Sequence, residues 1–388
     1  MTRTRLLLFT VAAAALACGS SMPTETFRAN ALTFDKIAVS QNDSQTAQPA
    51  EAPTADPSAA LTATDCHPHL FQRTGEIIGR LNRHFFKLVR HVGDLISDNP
   101  TLASGNSRTW ENVKNGIDRK FTITATANAD GSTTFAFELD VKLANSTATP
   151  PPDFVKVMSG SLTHVGPADA DAADAGAATL VENKGTVTFD FDALASVVTT
   201  EQARGQITDA FDNIHDPVKG VKRTASFTLT GFLPEEGDPH GPRTGSYSWE
   251  REPSVGGKFQ FQDSLILLCP SNPTNAVADL TTVARWYNSG NGVHGRSDSK
   301  ATGGQMSATQ TWMGVTCAKG QTTSDPAEGY WMVKLEDSSL APPNNTVSGS
   351  AAMVGADPCD SVFGPVPSVN NNSTDYDFAA AVTFPGEW

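Results

Sequence analysis

The chain has 388 residues and a formal net charge of −14, from 28 Lys and Arg against 42 Asp and Glu. That length allows one large domain or two ordinary ones, with ample material for a buried core. The acidity excludes the broad basic surface that phosphate backbones require, so nucleic acid is not an expected partner, and it suits a soluble, self-repelling exported protein.

Met1 to Ala17 has the form of an export signal, with Arg3 and Arg5 ahead of an apolar run from Leu6 to Ala17. A run of twelve residues, apolar but for Thr10, is too short to span a bilayer. Loss of both arginines with the signal takes the charge to −16. The segment Ala15-Leu16-Ala17-Cys18, followed by Gly-Ser-Ser, resembles the lipobox of bacterial lipoproteins. In that class the cysteine becomes the diacylated first residue of the mature chain. The resemblance therefore implies a signal peptide over 1–17, lipid attachment at Cys18, and the membrane as a partner through that anchor. Ala15 stands where the class usually carries leucine, and the alternative is a plain secreted protein cleaved near Ala17. Gly19 lacks the aspartate that retains lipoproteins in the inner membrane of some bacteria, which favours the outer membrane, with the body facing the periplasm or the cell surface.

Residues 18–65 are rich in Ser, Thr, Ala, Pro, Gln and Asp and read as a disordered tether. Within it, Ala31 to Val39 reads at most as a lone strand. A single β-rich domain is expected over 66–388, with a subdivision near 271 as the alternative.

Cys66 to Ile96 carries the one long helical pattern. Ile77, Ile78, Leu81, Phe85, Leu88, Val89, Val92, Leu95 and Ile96 fall in one arc about 120° wide. Arg73, Arg80, Arg83, Lys87 and Arg90 occupy the opposite arc, and His84 and His91 lie beside them. Asp98-Asn99-Pro100 ends the run, because the residue before proline is pushed out of the helical region.

Period-two alternation follows. Phe121 to Ala125 and Phe135 to Leu143, joined by a turn at Asn128 to Gly131, form a hairpin with one polar face. Phe154 to His164, Gly185 to Phe191 and Thr224 to Phe232 read as strands, while Thr200 to Asn213 reads as a weak helical or turn pattern. Tyr247 to Glu250 and Lys258 to Gln262 make a second hairpin. The last third gives strands near Ala278–Trp286, Met306–Cys317, Tyr330–Leu335, Val347–Val354 and Tyr376–Phe384, joined by Gly/Ser/Asn-rich loops. The fold class is therefore mainly β: a large antiparallel curved sheet or half-barrel with one long N-terminal amphipathic helix packed against it.

With Cys18 set aside, Cys66, Cys269, Cys317 and Cys359 remain, an even number that reads as two disulfides in an exported chain. Cys66–Cys269 with Cys317–Cys359 is the favoured pairing of three. No C-x-x-C pair suggests a zinc ribbon.

The basic arc (Arg80, Arg83, Lys87, Arg90) has the pattern of membrane-surface and partner-binding helices. The bland alternative packs the apolar arc on the sheet and leaves the basic arc in solvent. Asp65, His67 and His69, and the pair His84 and His91, have spacings compatible with metal, yet no fixed carboxylate partner can be named and no metal site is assigned. Asp169, Asp171 and Asp174 fail the order of a calcium loop. Trp249, Trp286, Trp312 and Trp331 suit a core better than a ligand platform. The runs Arg285-Trp286-Tyr287-Asn288 and Ser307 to Trp312 resemble strand vocabulary of avidin-like barrels, too briefly to carry any ligand residue over. Phe378 to Trp388 resembles the closing strand of an outer-membrane barrel, but Pro385, Glu387 and the scarcity of tyrosine oppose it. No G-x-S-x-G, H-E-x-x-H, P-loop or G-x-G-x-x-G helix start occurs, so no catalytic residue and no cofactor is assigned.

The expected function is that of a non-enzymatic bacterial envelope lipoprotein that binds or carries an apolar ligand or lipid. A cavity beneath Ile77, Leu81, Phe85 and Leu88 would hold such a molecule. The alternative is a structural or protein-interaction component without a ligand cavity, for which solid packing there would speak. The oligomeric state is not legible.

Overall fold

The computed structural model describes residues 22–39, 67–145, 153–167, 180–218, 220–238, 241–252, 255–266, 277–289, 292–320, 327–341 and 345–349, with Cys359 and Phe363. Helices α1 (Thr24–Ala29), α2 (Phe34–Ile37) and α3 (Leu70–Ile96) precede every described strand. The first group of strands is β1 (Leu102–Ser104), β2 (Ser107–Lys114), β3 (Ile117–Ala127), β4 (Thr133–Leu143), β5 (Val155–Val165) and β6 (Val181–Asp190). A short helix α4 (Phe191–Val197) leads into β7 (Arg204–Asp216), β8 (Gly220–Leu233), β9 (Arg243–Glu252) and β10 (Gly256–Ile266). The remainder is β11 (Val277–Ser289), β12 (Gly292–Thr302), β13 (Gln310–Gly320), β14 (Ala327–Asp337) and β15 (Asn345–Gly349).

All fifteen described strands belong to one antiparallel sheet whose spatial order is the chain order, β1 to β15. The mainly β class and the large antiparallel sheet are therefore as the sequence predicts. β10 and β11 pair along eleven residues, from Gly256↔Tyr287 to Ile266↔Val277, so the sheet runs unbroken past residue 271.

Alternation explains the wall from β2 to β10. Phe121, Ile123, Phe135, Phe137, Leu139, Phe189, Phe227 and Phe259 point inward and are fully buried. The outward face carries hydroxyls paired across strands, as in Thr109–Thr122 at 3.2 Å, Thr134–Thr163 at 3.0 Å and Thr188–Thr208 at 3.0 Å. What covers the apolar face is α3, whose 27 residues span roughly 40 Å at 1.5 Å each. Near its start Phe71 lies against Gly295 of β12, where a Cβ would meet the ring at 2.2 Å, so only glycine permits this approach. Beyond its end Trp110 of β2 donates its indole N–H to the Asp98 carbonyl at 3.1 Å. The helix thus crosses the curved sheet from its late strands to its early ones.

The tether predicted for 18–65 does not hold over residues 22–39. Phe27, Leu32, Ile37 and Val39 are in the core at 0–2% exposure. Arg28 donates to the carbonyls of Ile96 at 2.8 Å and Asp98 at 2.7 Å, partners for the open end of α3. Asn82 pairs with both backbone groups of Val39, at 3.0 and 2.6 Å. The run expected as a lone strand instead contains α2. The polar composition of the longer segment masked five apolar side chains at uneven spacing, Phe27, Leu32, Phe34, Ile37 and Val39. Residues 40–66 lie outside the described residues.

Two further corrections concern strands. Thr200 to Asn213, read as helical or turn, is largely β7, and the short helix lies before it as α4, capped by Asp190 Oδ1 accepting from the Ala193 N–H at 2.8 Å. The inward residues of β7 include Asp209, Asn213 and His215, polar where a core face should be apolar, and this erased the alternation. β12, read as a loop, is hidden for the same reason, since Ser297 and Ser299 point inward while Arg296 and Asp298 are buried on its other face. The strand expected at Tyr376–Phe384 lies outside the described residues.

At the late end the sheet is covered on both sides. Leu70 of α3 joins Ala278, Leu280, Ala301, Trp312 and Val333 on one face. Cys359 and Phe363 join Val315, Cys317, Tyr330 and Met332 on the other. A Cys317–Cys359 disulfide ties that second cover down, as predicted, while Cys66 and Cys269 lie outside the described residues.

Candidate functional site

The four residues expected to face an apolar ligand face the sheet instead. Leu81, Phe85 and Leu88 are 0–3% exposed, and Ile77 packs at the core's margin. Phe85 is stacked against Phe189 of β6 at 5.2 Å and Phe227 of β8 at 5.5 Å, both at 24° between planes. Dispersion and ring packing fill this place with protein. Among the described residues no metal-binding group of three His, Cys, Asp or Glu side chains is found. His67 lies 3.8 Å from His69 and is stacked on Trp331 at 5.2 Å.

The basic arc does reach solvent. Arg83, Lys87 and Arg90 are exposed and Arg80 is half-buried. Arg90 diverges from the rest, with its guanidinium 5.9 Å above the Phe86 ring. Arg80, Arg83 and Lys87, spaced by three and four residues, share one side of α3 and line a pocket of about 140 Å³. Thr200 and Gln202, in the link from α4 to β7, and Pro234 and Glu235, following β8, close it from the sheet side. Lys87 lies 3.7 Å from Glu201. No hydrogen bond or close ion pair ties Arg80 or Arg83 to a described residue, although Glu76, one turn back on α3, attracts Arg80.

His84 also lines this pocket. It sits on the seam between the apolar and basic arcs and is 5% exposed, edge-on to Phe191 at 5.7 Å and Phe232 at 5.2 Å. Its Nδ1 is sealed from solvent without a partner. Burial first, then the charges of Lys87, Arg83, Arg80 and Arg243, push its pKa down to about 3, so the ring is neutral at physiological pH. Arg243 is occupied by Asp238, at 3.1 and 3.4 Å.

One turn of helix beyond the pocket, His91 has a different setting. Its Nδ1 accepts from Arg119 at 3.0 Å, and Arg119 also donates to Asn112 Oδ1 at 2.6 and 3.2 Å. Burial, then Arg119, lowers the His91 pKa to about 4. The two histidines paired by spacing in the sequence therefore belong to separate surroundings.

Sequence reasoning missed Asp209. It points from β7 into the apolar interior between Val187 and Phe227, at 0% exposure, with no hydrogen-bond partner for either carboxyl oxygen. Burial alone holds its pKa well above the ordinary value, because the charged form is the one desolvation penalises. A carboxylate in an inward strand position was the available signal, hidden because that stretch did not read as a strand.

No protein-family model matches the chain, and neither the curated proteins nor the solved structures give a match. What the site can do is set by its geometry. Two guanidiniums without a hydrogen-bond partner among the described residues and an ammonium, above a neutral imidazole and beside a hydroxyl and an amide, suit the binding of a small charged group.

Proposed function

We propose that this protein is a non-enzymatic interaction component of a bacterial cell envelope, held at a membrane through a lipid on Cys18, with the outer membrane favoured. The observation that carries the choice over an apolar-ligand carrier is the Phe85 stack. The face of α3 that would hold such a ligand is occupied by Phe189 and Phe227, and a carrier would have to lift the helix away. The lining of the basic pocket holds cations, an amide, a hydroxyl and the exposed carboxylate of Glu235, and its histidine is too weak a base at pKa about 3 to accept a proton at neutral pH.

The packed N-terminal segment changes what anchoring at Cys18 would mean. Met22 is within the folded body, four residues away, and four residues reach at most about 14 Å. A lipid at Cys18 would hold the body against the membrane surface rather than on a long leash.

Two measurements on the exported chain test the reading. Cys18→Ser is expected to move the protein from the membrane fraction to the soluble one, with loss of a diacylglyceryl mass from the N-terminal peptide. An unchanged distribution would remove the anchor. Native mass spectrometry is expected to show no apolar molecule bound beyond that anchor. A stoichiometric lipid would restore the carrier reading and the apolar arc as its site.

A further inference from the structure

At the pocket beside His84, two guanidiniums without a hydrogen-bond partner among the described residues, a buried unpaired ring nitrogen and a cavity coincide. Its volume, about 140 Å³, is below the roughly 300 Å³ at which drug-sized ligand pockets begin, so it admits a compact group and not an acyl chain. Arg80 and Arg83 present two planar forks of N–H donors, and Lys87 adds a point charge one turn on. Such a set matches a compact anion with several equivalent oxygens. The opposing charges are few. Glu76, one turn back on α3, attracts Arg80, Glu201 is shared with Lys87, Glu235 stands exposed at the rim, and Asp238 is taken up by Arg243.

We propose that this pocket binds a phosphate-class oxyanion, clamped between Arg80 and Arg83, with Lys87 beside it and the His84 ring at its floor. This goes beyond the envelope reading and does not depend on lipid attachment. Failure of the Cys18→Ser test would leave it standing, and its own failure would leave the anchor untouched. The anion has two sources with the same chemistry, a phosphomonoester on a lipid headgroup or phosphate free in solution. His84 supplies a response that simple surface attraction does not. Its ring is neutral because it is buried among four cations, and an anion in contact with those cations screens them and draws its pKa upward.

The test uses the full exported chain in nonionic detergent, titrated with inorganic phosphate while the His84 ring signals are followed by NMR across pH. Saturable binding is expected, with the His84 midpoint moving up from about 3. Arg83→Gln should weaken binding about tenfold, the loss of one charge-assisted contact. Because Arg83 is exposed and unengaged, that variant should keep its unfolding midpoint. Glu235→Gln, which removes the rim's negative charge, should tighten binding severalfold, and a merely structural pocket would not respond in that sense. Vesicles carrying phosphatidic acid, compared with vesicles carrying phosphatidylglycerol at equal charge, separate the sources. Preference for the phosphomonoester headgroup assigns the lipid, and equal retention with intact phosphate binding assigns the free ion. Absence of saturation, or phosphate affinity unchanged in both Arg83→Gln and Glu235→Gln, would overturn the proposal.

Discussion

The wall from β2 to β10 and the wall from β11 to β14 are built from similar strands, but only the first has water along its outer side. In the first, apolar side chains turn to α3 and hydroxyls or charges turn outward. In the second, α3 begins on one face while Cys359 and Phe363 close the other, so charges that would have met solvent are sealed in. Arg285, Arg296 and Asp298 are 5%, 4% and 1% exposed. Asp298 accepts two hydrogen bonds from Arg296 at 2.8 Å and lies 3.6 Å from Arg285. Burial still pushes its carboxyl above the ordinary range, against the pull of both guanidiniums. The first wall holds paired groups too, such as Arg119 with His91 and Asn112, but Asp209 has no hydrogen-bond partner for either carboxyl oxygen and His84 of α3 has none at Nδ1. Cover on both faces is tolerable where charges are paired, and the singly covered wall is where pH should act.

The largest effects should come from breaking each wall at its centre. Asp298→Ala would leave Arg296 charged in a sealed layer and should cost about 3–5 kcal/mol. Phe85→Ala would empty the ring stack on the other side of the molecule for a similar loss of about 3–5 kcal/mol. Urea unfolding would measure both, and a loss under about 1 kcal/mol for Asp298→Ala would mean that its layer is wet. Next in size, Cys359→Ser opens a link across 42 residues and should cost about 2–4 kcal/mol. It should loosen the second wall while the hydrogen exchange of β3 and β4 stays unchanged.

A smaller change of opposite sign tests the first wall. Asp209→Leu removes an unpaired buried acid and should stabilise by about 1–3 kcal/mol at neutral pH. With its folded pKa raised, the native state keeps a proton that the unfolded chain releases above the usual value of 3.8. The penalty therefore grows as pH rises from 3.8, and the gain from Asp209→Leu should fade towards pH 3.8. A gain that held constant with pH would show that the acid is not the cause. The subtlest expectation concerns the histidines, whose folded pKa values are lowered to about 3 for His84 and about 4 for His91. Both support stability above the ordinary value of 6.5 and lose it as pH falls towards those values. His84→Gln should flatten the acid side of the stability profile, and an unchanged slope between pH 6.5 and 4 would contradict it.

The same contrast decides what could be read beforehand. β3, β4, β8, β9 and β10 were legible because water on one side imposes alternation. β12 was not, because a strand covered twice has no polar face to alternate with, and its residues are small or charged on both sides. β7 failed through the three polar residues of its inward face. The arcs of α3 were readable in full, and the structure brings Arg80, Arg83 and Lys87 together as one group while Arg90 turns to Phe86. Which arc holds a ligand was not readable, because spacing along a helix cannot show that Phe189 and Phe227, over a hundred residues away, already occupy the apolar one. The share of the N-terminal segment in the core was missed because Asn82 and Arg28 hold it by backbone contacts that leave no periodic trace.

The strand order bears on how the molecule comes into being. Each described strand finds its partner in the next stretch of chain, so among the described strands no pairing waits for a distant segment. Synthesis begins at the N-terminus, which makes α1, α2 and α3 available before the first strand exists. The sheet can therefore be laid down hairpin by hairpin over a helix already present, with β1 as the starting edge. The join between Cys317 and Cys359 comes last, a latch on a wall whose other strands are already in place.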